Sequence, residues 1–585
     1  MTTEPAKTVS AVLERFGSDF VSFVAAFDQA EYVLWLGSGI SRERVPNVSE
    51  LLERVLEHLR SHISDDPDGE YRSALDEVLG LATLRTDERH TIDFSVPVSE
   101  WVLRDSIVDS LVTQYSRVLD VPVGDQNPED YLVWEGLDVA STYGSAELAP
   151  DVEHYCIAIL MLEGLVPSAV TANWDGLLEK ALQELTPAFE SLVRVAVRPQ
   201  DFRVVGPRVE LIKFHGCAVC ASRDADEYRG LLIARHSQIS QWTEQPENRS
   251  MRQHLETLYT DRLTLMIGLS AQDANLHTVF ASGIQNLART WPASPPAVVL
   301  GTERLESYHQ GLLKTTYGAN HQGNASDIRA SALLGAYGKP VLLALVLSSL
   351  TEKLRVLMER VVESALETGA ATRLYADLIS LRDLAASHSD PVDRESLEQP
   401  AISEHQRDFI ARHIDAVNLA LTVFRTGAFP AAGERRYAPV SDRPVTQAIL
   451  NTDYPSEHFG RLGVALALIG RGVAEGHWSA LPGSSRNAAA GVVTLINDQR
   501  AVPVYFVKDT STLTRLELDD SFDDQDGASF VVVAGDEPVR STRSPRSRYG
   551  RDGSTSAGRF SVSSVLIETE TVDELYEAFK IAGGF

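Results

Sequence analysis

The chain has 585 residues, is 44% hydrophobic and 23% charged, and carries a formal net charge of −29. That length supports about two to four domains. The acidic balance argues against direct nucleic-acid binding over the general surface, because a polyanion is repelled. Three cysteines cannot build a disulfide framework and fit a reducing cytoplasm. The start, Met1-Thr2-Thr3-Glu4-Pro5, has no basic region followed by an apolar core, so no signal peptide is expected. No apolar run approaches the roughly 20 residues of a membrane span, so no membrane contact is expected.

In chain order, Val9, Val12, Leu13, Phe16, Phe20 and Phe23 recur at helical spacing and predict an N-terminal helix within residues 1–30. Tyr32-Val33-Leu34-Trp35-Leu36 has the length and apolarity of a buried strand. It breaks into Gly37-Ser38-Gly39-Ile40-Ser41. Leu51, Leu52, Val55, Leu56 and Leu59 then mark a helix, with Asn47 and Glu50 as its capping box. Strand, glycine turn and helix form a phosphate-cradling opening, in which the backbone approaches a pyrophosphate and free N–H groups point at it. An ordinary tight turn has the same pattern.

Residues 50–165 are helical in pattern and read as an insertion, either scaffold or lid. A strand over 165–171 ends in Ala172-Asn173-Trp174-Asp175-Gly176, and a helix follows from Leu177. A strand over 209–214 ends at His215-Gly216. Another over 263–267 ends at Gly268-Leu269-Ser270, with Asp273 close behind. Further strands are predicted over 297–300 and 340–345, the last leading into a helix near 351–363. Strands alternating with helices predict an α/β, Rossmann-like, doubly wound parallel sheet over residues 31–375.

A polar linker is expected over 376–405 and a separate C-terminal α/β domain over 406–585. That domain is read as a helix near 402–424, a helical run through Leu462, Val464 and Leu468, and strands over 491–496, 502–507, 529–533 and 560–567. A last helix is capped by Thr571 and Glu574. Residues 519–526 read as an acidic loop. Arg540, Arg543, Arg546, Arg548 and Arg551 read as a basic, Ser/Gly/Pro-rich loop, either solubilising or docking an acidic partner.

Four motifs thus stand at predicted strand ends: Gly37-Ser38-Gly39-Ile40-Ser41, Thr171-Ala172-Asn173-Trp174-Asp175, Lys213-Phe214-His215-Gly216 and Gly268-Leu269-Ser270. Together they resemble the sirtuin-like family of NAD-consuming proteins, over about 31–350. After Ser41, the run Arg-Glu-Arg-Val-Pro-Asn-Val-Ser-Glu-Leu-Leu is more similar to the bacterial antiphage-defence branch than to protein deacylases, which carry Asp-Phe-Arg there. Deacylases also hold zinc with two Cys-x-x-Cys pairs. Here Cys217 and Cys220 make one pair and Cys156 stands apart, so no metal is expected.

The resemblance implies that NAD is a substrate, cleaved between nicotinamide and ribose by an NADase. It implies Asn173 holding water and a ribose hydroxyl, and His215 as the base. Gly37, Ser38, Gly39, Ile40 and Ser41 would meet the pyrophosphate, and Gly268 with Ser270 the adenosine ribose. Asp175 would position ribose or nicotinamide, or cap the following helix. Asp273 resembles an acidic residue of the defence branch, or caps a helix. The implied role is an abortive-defence effector, homo-oligomeric, switched by assembly or by a partner such as a hexameric DNA-translocating ATPase or another phage sensor. A deacylase and a non-catalytic sensor of NAD or ADP-ribose are the alternatives. A dehydrogenase fits poorly, since the third glycine of the dinucleotide fingerprint is missing.

Overall fold

A computed structural model describes residues 8–63, 69–286, 289–388, 437, 439–450, 456–482, 491–497, 500–507, 530–535 and 558–585. Its centre is strand β1, Tyr32–Leu36, buried along its whole length. Strand geometry sends alternate side chains to opposite faces. Tyr32, Leu34 and Leu36 accordingly join one apolar cluster, and Val33 and Trp35 another. Both faces are covered by helices, which is why the run is continuously apolar rather than alternating.

Around β1 lie β2 (Ser168–Thr171), β3 (Val193–Ala196), β4 (Val209–Lys213), β5 (Leu263–Ile267) and β6 (Val298–Gly301). The order is β3-β4-β2-β1-β5-β6, and every neighbouring pair is parallel. The sheet is therefore Rossmann-like and doubly wound. The short edge strand β3 is absent from the sequence reading. It is held beside β4 by Arg194 on Glu210, a contact no local pattern announces.

The N-terminal region is two helices, α1 (Val9–Phe16) and α2 (Val21–Asp28), where one was expected. The Asn47–Glu50 box caps α3, Val48–Ser61: Asn47 Oδ1 accepts from Glu50 N at 3.1 Å and Glu50 Oε2 from Asn47 N at 2.8 Å. The insertion between β1 and β2 is helical, with a core of its own that includes Leu56, Val78, Trp101, Leu111 and Leu132 and ends against Trp174 and Ala218. Its last helix, α4 (Val152–Leu162), belongs instead to the core of the sheet. Further along the chain, helices α5 (Leu177–Leu185) and α6 (Ala274–Asn286) follow β2 and β5.

The strand expected over 340–345 is not a strand. These residues open the helix α7, Gly338–Val362. Its first half is apolar all round because it is buried all round, and a short apolar run does not tell helix from strand. Pro340 sits in the first turn, where its missing N–H costs nothing. Helix α8, Ala370–Ser387, likewise occupies the first part of the expected linker. The remainder of that linker, the helix near 402–424, the acidic loop 519–526 and the arginines at 540–551 lie outside the described residues.

Helix α9 (Ser456–Ala474) leads into a second, mixed sheet, β7 (Ser479–Pro482), β8 (Gly491–Asn497), β9 (Arg500–Val507), β10 (Phe530–Val533) and β11 (Gly558–Ser561). The pairs β7–β8 and β8–β9 are antiparallel, and the other two pairs parallel. The strand expected to reach residue 567 stops at Ser561, and a helix, Val562–Glu568, follows. The final helix, α10 (Val572–Gly583), has its Thr571–Glu574 capping box. One apolar cluster contains Leu34, Leu347, Leu468 and Val504, so the two sheets share a core through α7 and α9.

That shared core contains an ion pair. Glu163 and Lys353 are both fully buried and 2.8 Å apart. Glu163 also accepts from Val440 N at 2.9 Å and from the Tyr437 hydroxyl, and Lys353 donates to Ser441 O at 2.7 Å. The pair thus clasps Tyr437, Val440 and Ser441 to the back of the first sheet. Removing one partner of such a pair strands a buried charge, at about 3–5 kcal/mol. Lys353→Met is expected to lower the urea midpoint of the full chain accordingly; an unchanged midpoint would contradict this account of the clasp.

Candidate active site at the carboxyl ends of the strands

The chain winds from β1 to one side of the sheet and returns to β5 on the other, so the strand order reverses between β1 and β5. Open α/β sheets bind ligands in the crevice outside such a switch point. Here the two strand tips touch backbone to backbone. Gly37 N donates to Ile267 O at 3.1 Å and Gly39 N to Gly268 O at 3.0 Å. A Cβ on Gly37 would overlap the Gly268 carbonyl, and one on Gly39 would lie 2.7 Å from Gly268 Cα. Gly268 has φ +65° and its own Cβ would lie 2.7 Å from Ile40 N. The glycines are therefore required by the junction itself. Ile40 N donates to Gly37 O and Ser41 N to Ser38 O, so the expected free N–H groups at 37, 39, 40 and 41 are spent internally.

Ser38 is exposed at the tip, and Ser41 is fully buried beneath it. Ser41 Oγ lies 3.1 Å from His154 Nε2. His154 Nδ1 accepts from Asp151 N at 3.1 Å, which leaves the proton on Nε2 to be donated to Ser41. The turn is thereby pinned to the start of α4.

Asn173, two residues past β2, donates its amide to Gly37 O at 3.1 Å and its backbone N–H to Thr171 Oγ1 at 3.0 Å. Among the described residues its Oδ1 has no hydrogen-bond partner. Asp175 is buried and its Oδ1 accepts from Leu177 N at 3.2 Å, capping α5. Below this loop, Lys213 Nζ, on a residue 1% exposed, donates to Asp175 O at 2.5 Å and to Glu179 Oε1 at 2.7 Å, and lies 3.3 Å from Cys217 Sγ. Burial works to remove the lysine's proton, but Cys217, Glu179 and Asp175 together oppose it and the net shift is upward. A charged lysine therefore holds the Asp175 carbonyl.

His215 occupies the place on β4 that Asn173 occupies on β2, two residues beyond the Thr171–Lys213 register pair. It is buried, with Nε2 3.4 Å from Asp273 Oδ2 and 3.3 Å from Asn275 Nδ2. Burial lowers its pKa below the usual 6.5, and Asp273 opposes this. Asp273 also accepts from Asn275 N at 2.8 Å, so it caps α6 and faces the imidazole at once. Cys217 is buried and Cys220 half-buried. Among the described residues no cluster of three or more His, Cys, Asp or Glu is placed to hold a metal.

A cavity of about 170 Å³ opens between the tips of β1, β5 and β6. Gly39, Ile40, Gly268 and Ser270 line it, with Arg42, Glu153, Thr302 and Tyr337. Arg42 stacks over the Tyr337 ring at 4.9 Å. Asn173, Asp175, His154 and Lys213 line a second cavity of about 10 Å³, which shares Ile40 with the first. The structure thus joins Asn173 to the glycine turn and His215 to Asp273. His154, Lys213, Asn275, Arg42 and Glu153 were not singled out from the sequence as site residues. Only Lys213 had a signal, as a charge at the end of a predicted buried strand, beside the His215-Gly216 motif.

Residues 167–320 match the family described as a SIR2-like domain. The matched stretch takes in Asn173, His215, Gly268, Ser270 and Asp273, and begins after the glycine turn of β1. No curated protein matches the chain.

The imidazole of His215 is expected to titrate below 6.5 in NMR of the full chain with labelled histidine. Asp273→Asn removes the one influence holding it up and is expected to move the midpoint further down. A midpoint above 6.5, or an upward move in the variant, would contradict this electrostatic account.

Proposed function

We propose, taking the SIR2-like domain at 167–320 as the premise, that the chain hydrolyses NAD to nicotinamide and ADP-ribose. A SIR2-like domain suggests NAD-related activity; hydrolysis is the finer reading. The observation that carries it is the pairing of Asn173 with the glycine junction, beside His215 on the adjacent strand tip.

The bond between C1′ of the ribose and the nicotinamide nitrogen breaks with its electron pair going to nicotinamide. The ribose passes through an oxocarbenium-like state, and a water oxygen bonds to C1′ while its proton leaves. Asn173 already commits its NH₂ group to Gly37 O, so its Oδ1 is the acceptor available for that water or for a ribose hydroxyl. His215, kept neutral near pH 7 by burial, takes the proton. Asp273 steadies the imidazolium that results. Lys213 acts through the loop, fixing the Asp175 carbonyl. Because the turn's own amides are mostly spent, Ser38 at the tip and the Arg42 guanidinium are the groups that meet the pyrophosphate.

An enzyme that destroys NAD must be silent until triggered. In this reading it is an abortive antiphage effector, homo-oligomeric or docked to a partner such as a translocating ATPase. The second sheet and the helical insertion carry the switch.

Nicotinamide release from NAD by the full chain, alone and in phage-infected cells producing it, tests the proposal. Asn173→Ala and His215→Ala are each expected to reduce release by about 100-fold or more with the melting temperature retained. Both variants turning over NAD like the parent would sink the assignment, and NAD use that depends on an acyl-lysine peptide would replace hydrolysis with deacylation.

A further inference from the structure

One buried acid beside the site has no task in that mechanism. Glu153, in the first turn of α4, is 4% exposed. Its Oε2 has no hydrogen-bond partner. The nearest cation, Lys339 Nζ, stands 3.9 Å away and is engaged more closely by Glu43 at 2.5 Å and Asp151 at 3.2 Å. Burial pushes the Glu153 carboxyl up to about 8, against the pull of Lys339. A buried carboxyl with one oxygen unpartnered and its nearest cation at 3.9 Å is costly, and native proteins rarely keep one without a use.

Glu153 lines the 170 Å³ cavity between the tips of β1, β5 and β6. Ile40, Met266, Ile267 and Leu300 form its apolar wall, and Ser270 and Thr302 add hydroxyls. Pockets that enclose whole drug-sized ligands run to about 300–1,000 Å³, so this one takes an end of a dinucleotide rather than all of it. Neither Asn173 nor His215 lines the cavity, so the end it takes is the one remote from the reacting carbon. A phosphate is the wrong occupant for the wall at 153, because Glu153 and Glu306 both border the space. A group that donates and accepts hydrogen bonds without charge suits a carboxyl in either protonation state, and a ribose hydroxyl is such a group.

We propose that Glu153 is a specificity-determining residue whose carboxyl hydrogen-bonds a hydroxyl of the ribose remote from nicotinamide. The inference rests on the dinucleotide reading of the site. Glu153 lies outside the stretch matched as a SIR2-like domain, so that match assigns it nothing.

The test is calorimetry on the full chain with three probes: ADP-ribose and its 2′-deoxyadenosine and 3′-deoxyadenosine analogues. The parent chain binds ADP-ribose, and one analogue binds about tenfold more weakly. E153A weakens ADP-ribose by about the same factor and leaves that analogue unaffected, as a coupled pair requires. E153Q, which keeps a hydrogen-bonding group of the same shape, stays within about threefold of the parent. Equal weakening of all three probes by E153A, or no weakening, overturns the inference and leaves the dinucleotide reading standing. Should E153A fail to fold, the parent chain still decides: analogues that bind as well as ADP-ribose overturn it. A parent chain that binds no ADP-ribose overturns the dinucleotide reading and this inference with it.

Discussion

The contact on which the rest of the site depends is the backbone junction between the ends of β1 and β5. Gly37, Gly39 and Gly268 sit so close that a methyl group on any of them meets main-chain atoms, which cannot move aside as a side chain can. Main chain against main chain sets the switch point of the sheet at a fixed separation. Asn173 is then held to the junction by its bond to Gly37 O, and Ser41 by its bond to His154. The crevice is therefore built from tips tied to one another, and the ligand has little to order when it arrives.

Beneath the tips is a layer of buried and half-buried polar groups that are almost fully satisfied. Lys213 is bonded to a carbonyl and a carboxylate, Asp175 caps a helix, and Asp273 both caps a helix and faces His215. Paired in this way, such groups hold one arrangement and resist others. The two oxygens of Asp273 do different things: Oδ1 takes the helix N–H and Oδ2 points at the imidazole. The Glu163–Lys353 pair does a related job at the far side of the sheet, where it binds Tyr437, Val440 and Ser441. Events in the second sheet thus have a packed route, through α7 and α9, to the core under the crevice.

Much of this was legible along the chain. Tyr32–Leu36 announces a strand covered on both sides, Asn47 and Glu50 announce a helix start, and the glycine turn marks the close approach. What was not legible is non-local or ambiguous in period. Ser41 and His154 are 113 residues apart, and nothing in either neighbourhood names the other. Glu153 reads as an ordinary first-turn acid until the fold buries it. Asn275 reads as a helix residue until α6 brings it to His215. Residues 340–345 are apolar at every position, which suits a covered strand and a covered helix equally, and only the length of the element and Pro340 in its first turn decide. The glycines were expected to let the main chain approach a pyrophosphate; the structure shows that they also have a steric duty at the junction.

The central claim is that one dinucleotide lies across this junction with its reactive ribose toward β2 and β4. The most direct measurement is a crystal structure of the full chain grown with ADP-ribose. The account predicts the pyrophosphate against Ser38 and Arg42, the terminal ribose facing Asn173 and His215, and the adenosine in the cavity beside Ser270. ADP-ribose bound away from residues 37–41, or across them with its terminal ribose turned from Asn173, would contradict it.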